Sequence, residues 1–395
     1  MLTILARQRA PRRQADQAGL ILARYAARFS SKENAMPGLR QLAILLACVL
    51  GASAVPGTVL AKKSKAHPRQ QQHSAALLAF QRDLVSVLAP RADALPLLGA
   101  ALLARPLADQ PKANDFHSLI ERAVAAPGHG PAERWIQLAD CDAKAGACPN
   151  AQALASLLEE APDNAAVWLL KLGQDMHEAK REAARADLAH AAQTKLYDDY
   201  TGTSLKALAS SVGVLPPPAA TLDPKAGAGA AGLQAMLVFG IAGTQPQPGL
   251  RAVADLCQDA GADQQLSADC RQLGKTLEWG SSPLARSLGL HLRETLGDEA
   301  ERNQALRERR DLVWQVQQFA RLASRVQADK AQAQHLLSLA RSGGTEMSLV
   351  LSALRDAGVP TDAPADWEMH PEGNAPPPAG TRTAARADHP VPRSP

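Results

Sequence analysis

Aromatic side chains are scarce in this chain: Phe, Trp and Tyr together make up 3% of its 395 residues. Strands draw on β-branched and aromatic residues, so this scarcity argues against a sheet-built core. The hydrophobic fraction is nonetheless 46%, which leaves Leu, Ala and Val to build the interior. Ala and Leu are strong helix formers, and the composition therefore points to an all-α protein. A charge excess is also missing once the N-terminus is set apart. The whole chain carries +4, but residues 1–61 hold eight Lys/Arg (Arg7, Arg9, Arg12, Arg13, Arg24, Arg28, Lys32, Arg40) against Asp16 and Glu33. The remainder then has 35 basic and 37 acidic residues, a net of −2. A near-neutral body has no overall pull toward phosphate, so nucleic acid is not an expected partner. No apolar run approaches the roughly 20 residues of a membrane-spanning helix.

The longest run that matters is Leu42–Leu50, nine residues after Met36-Pro37-Gly38-Leu39-Arg40. A short basic stretch followed by an apolar core of this length reads as a signal peptide over residues 36–61. Gly51 and Pro56 break it, and small-residue cleavage sites end at Ala54 and at Ala61; the second follows Pro56 and is preferred. Residues 1–35 then form an upstream extension or a mis-start. Leu45-Leu46-Ala47-Cys48 resembles a lipoprotein box, which makes Cys48 the candidate for lipidation. The apolar run continues past Cys48, and the discarded-leader reading is favoured.

Without Cys48, four cysteines remain in two local pairs, Cys141 with Cys148 and Cys257 with Cys270. Export into an oxidising compartment, periplasmic or secreted, permits disulfides, and four cysteines allow three connectivities. Proximity favours Cys141–Cys148 and Cys257–Cys270. A disulfide needs Cα atoms within about 7 Å. Seven residues of unbroken helix span roughly 10 Å, so the chain must turn within each pair, at Gly146 and at Gly261. Neither pair is C-x-x-C, and no His stands beside either at zinc-ligand spacing, so no metal is expected.

Along the chain, residues 62–73 read as a flexible linker. Leu77, Leu78, Phe80, Leu84, Val85 and Leu88 share one helical face that Pro90 ends. An apolar helix follows at Leu95–Leu103, and Asp115 caps the next. The N-terminal helical lobe runs over 74–212. Pro216-Pro217-Pro218 and Gly227-Ala228-Gly229 mark a linker over 213–231. Further helical patterns fill a C-terminal lobe over 232–367, with a helix or broken pair over Glu299–Arg341 whose inward residues include Leu306, Val313, Val316, Phe319 and Leu322. Residues 368–395 are rich in Pro, Ala and Arg and are expected to be disordered.

Trp135-Ile136-Gln137-Leu138-Ala139 and Trp168 stand 33 residues apart, a helical-repeat period. The stretch 132–192 resembles the tetratricopeptide repeat. Its opening W-x-x-L-G is met with Ala139 in place of Gly, and Ala151 falls at a small-residue position. Ala184, Leu188 and Ala191 fit after Trp168. Ala155 stands where a bulky aromatic is usual, Lys171 takes a Leu position, Pro162 comes one residue early and Leu172-Gly173 one late. The resemblance implies stacked antiparallel helical hairpins of the α-solenoid kind, which bind protein partners. As a whole the chain resembles exported helical proteins of Gram-negative bacteria.

Catalytic signatures are missing. No G-x-S-x-G, S-x-x-K or H-E-x-x-H occurs. Gly227-Ala228-Gly229-Ala230-Ala231-Gly232 spells G-x-G-x-x-G, but no strand precedes it, and it reads as linker rather than a dinucleotide site. His177 and His190 read as surface residues, not a metal pair. His117 and Glu121 lie one turn apart, and Tyr197-Asp198-Asp199-Tyr200 is the densest polar-aromatic cluster. Should the chain be an envelope enzyme, His117, Glu121, Asp198 and Asp199 are the first candidates. Arg307, Glu308, Arg309 and Arg310 read as a solvated face, and Trp135, Trp168, Trp279 and Trp314 as core. The favoured reading is an interaction or scaffolding module of the cell envelope, with no catalytic, cofactor or metal residue and with protein as partner.

Overall fold

The fold is that of a computed structural model, which describes residues 68–141 and 149–368. The leader with Met36, Cys48, Ala54 and Ala61, the tail after Glu368, and Cys148 lie outside the described residues. Among the described residues the protein is all-helical and has no strand; one β-bridge joins Asn164 to Leu196. Fifteen α-helices follow one another: α1 Pro68–Leu88, α2 Ala94–Ala104, α3 Phe116–Ala125, α4 Pro131–Gln137, α5 Ala151–Glu160, α6 Ala165–His177, α7 Arg181–Ala192, α8 Thr201–Ser211, α9 Gly229–Ala242, α10 Leu250–Gln258, α11 Gln264–Leu277, α12 Pro283–Leu296, α13 Glu299–Ala323, α14 Lys330–Ser342 and α15 Glu346–Asp356.

Local chemistry starts many of these helices. Asp115, Asn150, Asn164, Asp263, Asp298, Asp329 and Thr345 each accept a hydrogen bond from a backbone N–H of the first turn. Such caps satisfy donors that the helix itself cannot. The Glu299–Arg341 pattern resolves as the broken pair α13 and α14. Cys257 bonds to Cys270 with their Cα atoms 5.9 Å apart, across a 3-10 turn at Asp259–Ala262 that contains Gly261.

Packing begins as a stack of sequential neighbours, α1 on α2 and so on to α6 on α7. Then the order changes: α7 packs on α11 and α6 on α10, while α11, α12 and α13 continue the stack into α15, α14 and α9. The stack returns on itself through α8, which touches α2 on one side and α9, α14 and α15 on the other. Helix α2, apolar nearly all round, is buried against α1, α3 and α8, as its sequence requires. Close crossings need residues without a Cβ. A Cβ on Gly202 of α8 would lie 1.7 Å from the Gly344 carbonyl oxygen in the α14–α15 turn.

Several boundaries differ from the sequence reading. Helix α1 already starts at Pro68, inside the stretch 62–73 expected to be a flexible linker. Proline suits a first helical turn, and the Arg and Gln that follow are good helix formers. Of the expected linker 213–231, the last residues open α9, and a 3-10 turn at Ala219–Thr221 packs on α1 with Thr221 buried. Leu306, expected inward, is exposed on α13. No helix among the described residues is long and apolar enough to cross a membrane.

Candidate functional site

The four residues named for an enzyme fall in two places. His117 on α3 lies 2.8 Å from the Asp140 carboxylate and 3.4 Å from Glu121. The hydrogen bond to Asp140 holds His117 above its ordinary pKa despite its exposure. Asp198 and Asp199 sit elsewhere, in the loop between α7 and α8, and among the described residues no hydrogen bond or ion pair joins the two pairs. Acid–base work requires both groups within reach of one substrate atom, and no contact among the described residues brings the two pairs to one point.

What Asp198 and Asp199 do is join segments. Asn164 caps α6 and also binds this loop, accepting from the Asp198 N–H at 2.9 Å and donating to the Asp198 carbonyl at 2.7 Å. The Asp199 N–H donates to the Ser281 hydroxyl at 3.1 Å, and that hydroxyl donates to the Asp199 carboxylate at 3.1 Å. The Ser281 N–H donates to the Tyr197 carbonyl at 3.1 Å, and the Met347 N–H to the Ser281 carbonyl at 2.9 Å. Three chain segments thus meet at Ser281: the loop before α8, the α11–α12 turn and the start of α15. Tyr200 stands in the left-handed region (φ 55°), with its ring edge-on to the buried Trp135 at 5.5 Å. Burial raises Asp198 and pushes Glu346, in the first turn of α15, up to about 8, with Asp199 adding to the effect. Part of the Glu346 surface still meets solvent. Burial also lifts the Tyr197 phenol well above its ordinary value.

A second polar cluster went unnoticed in the sequence. Lys171 Nζ on α6 lies 2.7 Å from Asp175 and 2.9 Å from Asp187 of α7. Both carboxyls are nearly buried, and they hydrogen-bond one another. Burial pushes Asp187 up to about 6, with Lys171 pulling the other way. Burial works against Asp175 too, but hydrogen bonds from Lys171 and Asp187 hold it below its ordinary value. The one sequence clue was Lys171, a charge on a helix face where the repeat pattern wants Leu.

The tryptophans do not share one fate. Trp135 is fully buried and donates to the Pro246 carbonyl at 3.2 Å; Trp168 is part-buried and stacks on His190 at 4.4 Å. Trp314 is part-buried on α13. Trp279, expected in the core, is 74% exposed on the α11–α12 turn. Glycine follows it, and Pro283 starts the next helix, so the ring has no facing helix to cover it. Its indole N–H donates to Glu278 at 2.9 Å. Residues 194–197 run alongside this turn: the Thr276 hydroxyl donates to the Thr194 carbonyl at 3.4 Å. From that neighbouring segment Leu196 stands 49% exposed.

The glycine-rich stretch opens α9 but follows a turn, not a strand. A Cβ on Gly227 would lie 2.6 Å from the Ala328 carbonyl oxygen, and one on Gly232 2.8 Å from that of Val326. Close approach to the α13–α14 turn accounts for these glycines. A surface groove of ≈ 550 Å³ lies beside them, edged by Lys330, Gln334 and Arg341 of α14. Of the charge run, Arg307 is exposed as expected, but Arg309 pairs with Glu294 at 2.6 Å and Arg310 binds residues 363–367. Among the described residues no group of three or more His, Cys, Asp and Glu side chains could hold a metal ion. No family model, curated protein or solved structure matches the chain.

Proposed function

We propose that the chain is an exported interaction module of the cell envelope and that it contacts a protein partner through Trp279 and Leu196. The observation that carries this reading is the exposure of Trp279. A tryptophan left 74% open on a turn buries little of its ring in the fold. Exposed apolar surface of this kind marks association sites, and tryptophan is enriched among residues that dominate binding energy. Stacked helical pairs suit such a role, since they present extended surfaces without needing catalytic groups. Export is supported by the signal-like stretch after Met36 and by the Cys257–Cys270 bridge, which an oxidising compartment maintains. The test compares cross-linked partners of the wild-type chain and the Trp279→Ala chain in envelope preparations. Proteins captured by the first and lost by the second, with both chains melting alike, are the expected result. Identical captures, or no partner at micromolar concentration, would overturn the reading.

A further inference from the structure

The chain does not leave the surface after α15. Gly358, in the left-handed region (φ 66°), turns it, and residues 360–367 run back across α13. Four residues of α13 hold this segment: Arg310, Asp311, Trp314 and Gln315. They read it almost entirely through its main chain. Trp314 Nε1 donates to the Pro360 carbonyl at 2.9 Å and Gln315 Nε2 to that of Thr361 at 3.0 Å. The Arg310 guanidinium donates to the carbonyls of Ala363 at 3.3 Å, of Pro364, and of Trp367 at 2.8 Å. Asp311 accepts from the Ala363 N–H at 2.9 Å. One side chain anchors the segment: the Trp367 ring meets Trp314 edge-on at 5.7 Å, with the Arg310 guanidinium 5.8 Å from its centroid. The side chains of Pro360, Thr361, Asp362, Pro364, Ala365 and Asp366 are exposed.

A strap that served only the fold would bury its side chains. This one offers carbonyls and a single aromatic anchor, which is how a docked peptide is read. Main-chain groups are common to every sequence, so the α13 face selects a backbone shape: bends at Thr361 and Asp362, then a turn in which the Trp367 N–H donates to the Pro364 carbonyl at 2.9 Å. Pro360 and Pro364 narrow the choice of backbone shape by fixing φ, and their carbonyls accept from α13. We propose that this face of α13 is a peptide-binding surface, occupied in cis by residues 360–367, for a proline-containing segment of another protein that takes the same turn before a tryptophan anchor. It stands apart from Trp279 and does not depend on the reading given above. The tethered strap competes at an effective concentration of about millimolar, so an incoming segment binds only as far as the strap opens.

The experiment titrates a fluorescent synthetic peptide of residues 358–368 into the full chain. The wild-type chain is expected to bind it weakly. Trp367→Ala loosens the strap without altering α13 and should tighten peptide binding at least about tenfold. Ala363→Pro, which deletes the N–H that Asp311 accepts, should give the same gain with the anchor kept. Adding Arg310→Ala to either variant should remove the gain. Circular dichroism confirms that each chain tested is folded. If neither loosened chain binds the peptide more tightly than wild type, or if Arg310→Ala leaves the gain intact, the proposal fails.

Discussion

Lys171, Asp175 and Asp187 show what one buried charge cluster costs and where the cost appears. Two carboxyls face one ammonium between α6 and α7, so one carboxyl gives up its charge more readily than the other. Asp187, raised to about 6, takes up its proton more readily in the fold than in the unfolded chain. Its contribution to stability is therefore complete below pH 3.8 and is lost as pH rises through about 6. Asp175, held low, works the other way: its contribution is present above its ordinary value and is lost as pH falls below it. Together they place the best stability of this hairpin between the two windows. Asp187→Asn keeps an acceptor for Lys171 and removes the titration. The wild-type chain should lose on the order of 2 kcal/mol between pH 4 and pH 7 through this residue. Urea melts across that range should show the variant with the flatter slope. Equal slopes would mean that the pair does not share its proton as described. The same trio accounts for a charge at Lys171: the position faces Asp175 one turn along its own helix and Asp187 on the neighbouring one, and the second cannot be seen in a motif written along one helix.

At the scale of elements, the pattern of apolar residues and caps was legible. Asp115 was readable as a helix start, because a short polar side chain before an apolar period has one main structural use. Helix α2 announced its burial by lacking a polar face. The loops were not legible, since their order comes from partners distant in sequence. Gly227 and Gly232 look like linker until the α13–α14 turn is laid against them. Ser281 has no local signature, yet it ties Tyr197, Asp199 and Met347 together. Trp279 was misplaced for a related reason: its spacing fits a helical core, but the helix ends two residues earlier at Leu277. The Cys257–Cys270 pair was legible from proximity alone, and its role lies at this scale. Helix α10 has nine residues, too few to hold as an isolated helix in water. The bridge spans 13 positions and fixes α10 to α11. A closed loop of this size is worth about 3 kcal/mol. Cys257→Ala with Cys270→Ala should therefore cost roughly that amount in chemical denaturation. Hydrogen exchange should show α10 and its contact with α6 loosened first. If both chains unfold at the same denaturant concentration, the bridge contributes nothing at equilibrium.

The whole molecule is organised around α8. Sequence composition suggested two lobes joined by a linker over 213–231. Helix α8 nevertheless belongs to both sides, lying on α2 in the first half and on α9, α14 and α15 in the second. The buried apolar residues form one cluster that runs from Phe80 to Leu354. A continuous core of this kind unfolds as a unit when its parts depend on one another. The wild-type chain is therefore expected to melt in one calorimetric transition, with the near-ultraviolet signals of Trp135 and Trp314 changing together. The halves also meet where α6 lies on α10 and α7 on α11, and the tightest of the contacts is made by α8. At Gly202 the α8 backbone comes so close to the α14–α15 turn that a Cβ would fall 1.7 Å from the Gly344 carbonyl oxygen. That oxygen belongs to backbone, so it cannot swing aside as a side chain would. Gly202→Ala must push α8 and the turn apart, and overpacking of this sort costs about 1–3 kcal/mol or more. The loss falls on the contact between the two halves rather than on either core. The variant should accordingly melt at a lower temperature but still in one transition, because α6 on α10 and α7 on α11 continue to join the halves. An unchanged melting temperature in Gly202→Ala would show that α8 and the α14–α15 turn are not packed as tightly as described. Two transitions already present in the wild-type chain would show that α8 does not unite the halves.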